Sequence, residues 1–239
     1  MSQSQIVQLQ TNQTPQTPGI MFLTLTLMGL ICAALLAVVY MSSAPTIEKN
    51  QQQLLQQSIQ ELFPHSTRFR ALQMDASGKL TLLEKRITQA HFYEVLDRHD
   101  ILLGYSVRAS GMGYQDNIAL LYAYRPQTQI ISGYEILSSR ETPGLGTKIE
   151  TDQHFKAQFD ALPVPLTDNR QQLRKIITLA KKGKKPTSGE LDSITGATIS
   201  SRSLIQTVSK SSALWVPRLH QLATGRNAPT PTNPVERVP

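Results

Sequence analysis

The chain has 239 residues, of which 40% are apolar and 17% charged, with one cysteine and a net charge of +7. It is too apolar to be disordered throughout, and a single thiol excludes a disulfide framework or a thiolate-only metal site. The charge suggests nucleic acid or an anionic membrane as partner, but it is local: residues 1–47 carry no Lys, Arg, Asp or Glu, whereas 168–226 carry eleven basic and three acidic residues.

Residues 1–18 are polar, rich in Gln and Thr, and read as a disordered extension. Residues 19–41 then run 23 positions without a charge. As a helix this segment is about 34 Å long, enough to cross a hydrocarbon core of about 30 Å; we place a transmembrane helix over 19–42. The competing reading is a cleaved signal peptide, for which 42–44 (Ser-Ser-Ala) is a passable cleavage site. Such a peptide has a shorter apolar region preceded by Lys or Arg, and no basic residue precedes this one. A buried core helix would show a polar face, which is absent. Only Lys49, next to Glu48, lies close enough to count for orientation, so charge alone does not orient the span. Cys32, within it, reads as a small apolar filler.

Residues 43–78 are expected to form an amphipathic helix and a connector. Leu54, Leu55, Ile59 and Leu62 have helical spacing across 46–63, and Pro64 ends the run. A domain follows over 79–224. Its stretches 101–109, 117–125 and 128–138 are rich in β-branched and aromatic residues and read as strands, the last two joined as a hairpin at Pro126-Gln127. Gly111-Met112-Gly113-Tyr114 reads as the turn before that hairpin. Glu141-Thr142-Pro143-Gly144-Leu145-Gly146 reads as a turn after a strand. Helices are expected over 150–161 and 200–222, the second with Leu204, Val208, Leu214, Trp215, Leu219 and Leu222 as its apolar stripe. Residues 225–239, with four prolines, read as a disordered tail.

The five histidines are scattered, and no HExxH, CxxC, GxSxG or P-loop pattern is present. The lysine run over 181–185 has the look of a nucleic-acid patch. On a chain with a membrane span, a solvated loop is the simpler account, with a docking face or a weak field near an anion as the functional alternative. Residues 191–201, Leu-Asp-Ser-Ile-Thr-Gly-Ala-Thr-Ile-Ser-Ser, stand out. Gly196 permits a tight turn, and Thr195, Thr198, Ser200 and Ser201 crowd hydroxyls at a helix start, where unpaired N–H groups favour a phosphate. Asp192 is placed to hold the loop as Asx turns do. On spacing alone, a ligand-free threonine N-cap is the simpler account.

The segment 192–198 resembles the D-x-x-[ST]-G-A-T motif of the FMN-binding domain family. That family is found in the G subunit of Rnf electron-transport complexes and the C subunit of sodium-pumping NADH:quinone reductases. The block 141–146 matches the ETPGLG block those proteins carry upstream, and the resemblance covers roughly 19–222. It implies an α+β fold: one N-terminal transmembrane helix, then an FMN-binding domain with an antiparallel sheet. It implies one covalent FMN per chain, held by a phosphoester to Thr198, with Asp192, Thr195, Gly196 and Ala197 shaping the attachment turn. Glu141, Thr142, Gly144 and Leu145 are expected near the ring. It implies a membrane-anchored electron carrier in an Rnf-type complex that couples redox to ion movement, with no independent catalytic activity. The expected partners are the other subunits, a flavin transferase and membrane lipid, not nucleic acid, and the expected location is the inner membrane with the flavin domain in the periplasm. The quinone-reductase C subunit and a membrane redox sensor are the alternatives, and the compact chain favours the Rnf G subunit.

Overall fold

The computed structural model describes residues 18–74, 80–83, 87–180 and 187–226. The stretch before Pro18, the tail after Arg226 and the lysine run over 181–185 lie outside the described residues. The chain falls into two compact units, the first ending at Asn50 and the second beginning at Gln51.

The two helical stretches expected before Pro64 are one continuous helix, α1 (Pro18–Leu62), with Pro45 inside it. Its N-terminal part is long and apolar enough to cross a membrane, and none of that window is buried. Its last two turns differ: Leu55, Ser58, Ile59 and Leu62 are buried.

The second unit is built on a seven-stranded sheet, every pairing antiparallel. Its strands are β1 (Arg68–Met74), β2 (Leu80–Leu82), β3 (Phe92–Leu96), β4 (Leu102–Met112), β5 (Asn117–Arg125), β6 (Ile130–Ser138) and β7 (Leu162–Pro163), in the order β2-β1-β3-β4-β5-β6-β7. The sheet thus begins at Arg68, ahead of the expected domain start at 79. Alternation along β5 sorts its side chains onto two faces. Ile118, Leu120, Tyr122 and Tyr124 point into the larger core, and Leu121 and Ala123 into a second one. The end of α1, with Phe63, covers the second core.

The larger core is closed by α4 (Thr198–Arg226), which contributes Leu204, Ile205, Val208, Val216, Leu219 and Ala223. The stripe differs from expectation: Leu214 and Leu222 are exposed, and Trp215 is only partly buried, edge-on to Phe92 at 4.6 Å. The helix lies close over β4 because residue 111 is glycine; a Cβ there would collide with Thr207 Oγ1. The expected turn at 111–114 accordingly begins later, since Gly111 and Met112 still pair in β4.

The helix expected over 150–161 is two short pieces, α2 (Lys148–Thr151) and α3 (Gln153–Ala157). Asp152 separates them: it is extended, and its carboxylate accepts the Phe155 N–H as the N-cap of α3. Finally β8 (Thr178–Leu179) and β9 (Glu190–Leu191) form a small parallel pair leading into the turn before α4.

Candidate functional site

Residues 192–197 reach α4 as a tight turn. Gly196 has φ +83°, a left-handed conformation that a Cβ would strain. Ile194 and Ala197 are buried and fasten the turn to the core. The Ala197 N–H donates to the Ile194 carbonyl at 3.0 Å, and the Ile194 N–H donates to Ser201 Oγ at 3.2 Å. Asp192, Thr195 and Thr198 are left exposed. Thr198 is the first residue of α4, and its Oγ1 sits 3.5 Å from the Ile194 carbonyl, a contact at the outer limit of hydrogen bonding. Its hydroxyl is therefore available for chemistry.

Asp192 does not act as an Asx turn. Its backbone N–H donates to Gln158 Oε1 at 2.6 Å and its carbonyl accepts from Gln158 Nε2 at 3.4 Å. The side-chain amide of Gln158 thus holds the turn in the way a neighbouring strand would, and the Asp192 carboxylate is left exposed.

The upstream block lies against this helix start. Glu141 is 4% exposed, and its carboxylate is a clasp between three segments. Oε1 accepts the Tyr114 and Gln115 N–H groups at 2.8 and 3.0 Å, and Oε2 accepts the Ser200 hydroxyl. Two glycines make room for it: a Cβ on Gly113 would collide with Oε1, and one on Gly146 would lie 2.6 Å from Oε2. The Thr142 carbonyl accepts the Leu145 and Thr147 N–H groups, and Gly144, at φ +74°, turns the chain between them. Leu145 is left 51% exposed, and Ile199, beside Thr198, 55% exposed. The structure therefore brings the two sequence motifs into contact through Glu141 and Ser200.

A cavity of about 840 Å³ opens beside Thr198, bounded by Lys148, Asp152, Phe155, Gln158, Ile194, Gly196 and Arg202 among others. Its size is in the range of small-molecule and cofactor sites. Glu141, Thr142, Gly144 and Leu145 are not among its lining residues. Two cations, Lys148 and Arg202, and the N-terminal end of the α4 dipole face it, alongside the carboxylates of Asp152 and Asp192. Sequence reading missed Lys148, Gln158 and Arg202. Arg202 stands one helical turn after Thr198, a spacing that could have flagged it. Lys148 and Gln158 arrive from another part of the chain and carry no local signal.

These residues suit a flavin mononucleotide. An exposed hydroxyl opens a helix, a glycine turn stands before it, and cations flank a cavity of cofactor size. An apolar N-terminal helix followed by an antiparallel sheet-and-helix domain of this kind defines a class of FMN-binding proteins. Residues 113–212 match the FMN-binding domain family, and residues 23–62 match the RnfG N-terminal region. The chain belongs to the family of the G subunit of ion-translocating oxidoreductase complexes. It is 30% identical to that protein from Pasteurella multocida, over 82% of this chain and 93% of the relative. It is 29% identical to the one from Methanosarcina acetivorans, over 76% of this chain and 86% of the relative. The crystal structure of Shewanella oneidensis NqrC has the same fold, with a TM-score of 0.51 at 16% identity, covering 70% of this chain and 88% of that one.

Proposed function

We propose that this protein is the membrane-anchored, covalently flavinylated electron carrier of an Rnf-type complex. The observation that carries the reading is Thr198: an exposed hydroxyl on the first residue of α4, directly after a left-handed Gly196 and beside a cavity with two cations. A phosphoester at this oxygen sets the phosphate against the unpaired N–H groups of the first helical turn. Bound there, FMN supplies one- and two-electron redox chemistry, and the chain supplies attachment, orientation and electrostatics.

The chain's own residues divide that work. Gly196 and Ala197 shape the attachment turn, and Gln158, through the Asp192 backbone, fixes it. Glu141 sets the distance between the ETPGLG loop and α4. Ile199, beside Thr198, and Leu145, on the loop that Thr142 and Gly144 hold, are exposed apolar side chains on which a ring can rest. The helical segment up to Asn50 anchors the protein in the inner membrane, with the flavin domain on the periplasmic side. Electrons then pass to and from the other subunits of the complex, whose redox steps drive ion movement.

The test is to express the full chain with a flavin transferase and view a denaturing gel under ultraviolet light. The wild-type band fluoresces, and Thr198→Ala is dark. A dark wild-type band, with the transferase active on a control protein, refutes the covalent reading.

A further inference from the structure

We propose that Lys148 is the counter-ion that positions the flavin phosphate, and that placing it is the main task of the ETPGLG loop. The inference rests on the site reading above and adds a residue to it. Lys148 opens α2, immediately after the loop closes at Thr147. Its direction is fixed from beneath. The next residue, Ile149, is fully buried, its carbonyl accepts the Tyr134 hydroxyl, and its N–H donates to the Gly146 carbonyl at 3.3 Å. With Ile149 pinned in the core, the Lys148 side chain runs over the attachment turn. Its Nζ lies 3.9 Å from where a Cβ on Gly196 would be.

Three further facts point to an anion. Lys148 takes part in none of the ion pairs formed among the described residues. Two carboxylates face the cavity with it, Asp152 and Asp192; neither forms an ion pair with Lys148, and Asp152 has Oδ1 committed to the Phe155 N–H at 3.0 Å. And Gly196 presents backbone without a side chain at the point Lys148 reaches, so a phosphate on Thr198 can lie between the ammonium and the helix start. Arg202 also faces the cavity but stems from α4 itself, whereas Lys148 comes from the other motif. A cation from a separate segment makes phosphate recognition depend on the ETPGLG loop being in place. Lysine suits this role as a compact point charge at a phosphate.

The test uses the full chain in detergent, produced without a flavin transferase, and measures FMN and riboflavin binding by quenching of flavin fluorescence. Wild type should prefer FMN over riboflavin about tenfold or more, the effect of one charge-assisted contact to a phosphate. Lys148→Met should lose that preference while keeping its riboflavin affinity, and Lys148→Arg should retain most of it. Three results overturn the proposal: no preference for FMN in wild type, a preference undiminished in Lys148→Met, or an equal loss of FMN and riboflavin in Lys148→Met. The last would mean that the lysine supports the cavity and not the phosphate. Covalent loading of the wild type by the transferase, followed separately on gels, shows whether the underlying flavin reading stands when the lysine proposal fails.

Discussion

Removing the Glu141 carboxylate should loosen the whole site, and the size of the effect follows from its contacts. In Glu141→Ala three donors lose their acceptor: the Tyr114 and Gln115 N–H groups and the Ser200 hydroxyl. A hydrogen bond to a charged group is worth about 1.5–3 kcal/mol, and a stranded buried donor costs about 1–3 kcal/mol. Tyr114 is 61% exposed, so water replaces part of the loss at the 114–115 turn. Ser200 is 3% exposed and has no such relief. We therefore expect Glu141→Ala to cost about 3 kcal/mol, or about 6–12 °C in Tm for a domain of this size. Glu141→Gln keeps one oxygen for the two N–H groups and can turn its amide toward Ser200, so it should cost about 1 kcal/mol. Thermal melts of the full chain in detergent, read by circular dichroism, measure both. Because the clasp joins the ETPGLG loop to the start of α4, covalent flavin loading should fall in the same order. A Glu141→Ala protein that melts within about 1 °C of wild type and loads normally would refute the clasp.

The remaining predictions concern the attachment turn, the core and the end of α1. Thr198→Ser keeps the hydroxyl and should still be flavinylated, whereas Thr198→Ala should not; in-gel fluorescence reads both. Gly196→Ala forces a Cβ into a φ of +83° and should cost about 1–2 kcal/mol, seen as a lower Tm together with reduced flavin loading. His220 is buried, its Nδ1 3.2 Å from the Tyr124 hydroxyl; burial first, and the Arg170 charge second, hold its pKa below the ordinary range, while the Pro126 carbonyl acts the other way. The unfolded chain takes up that proton first on acidification, so the stabilisation is present above a pH of about 6.5 and is lost as pH falls through the depressed folded value. Urea midpoints should drop over that interval, and less so in His220→Gln. A chain begun at Ser66 lacks Leu55, Ile59, Leu62 and Phe63 and leaves the second core open; it should aggregate or bind a hydrophobic dye, while one begun at Gln51 should fold.

Sequence patterns carry the parts of this fold that are local. The hairpin of β5 and β6 is readable because its strands are dense in β-branched and aromatic residues and Pro126 marks the turn. β3 lies within the stretch 79–144 that reads as strand territory but is not separable there: Phe92 to Leu96 is buried on both faces, so it lacks alternation, and Glu94 interrupts its apolar run. The break between α2 and α3 is hidden because Asp152 caps through its side chain within a stretch that has helical spacing. Period alone suggests an apolar stripe for α4, yet the close approach at Gly111 and the contact with β4 decide which face turns inward. At the site, the motif residues around Thr198 are legible as a hydroxyl-rich helix start after a glycine turn. The part Glu141 plays as a clasp has no local signature, since its burial and its three donors depend on Gly113, Gly146 and Ser200 converging. Lys148 and Gln158 act across gaps of tens of residues, which spacing cannot reveal.

The ties that hold α4 to the sheet and to the loop after β6 join distant parts of the chain: Ser200 to Glu141, Ser203 to the Met112 carbonyl, Tyr122 to Ser211, and Arg218 to the Met74 sulfur. During synthesis α4 emerges after every strand of the main sheet, and such long-range contacts are slow to form. Thr198 therefore reaches its place at the cavity only once the rest of the domain exists to receive it. On the proposed reading, a flavin attached to that hydroxyl would then mark a chain whose main sheet has already been made.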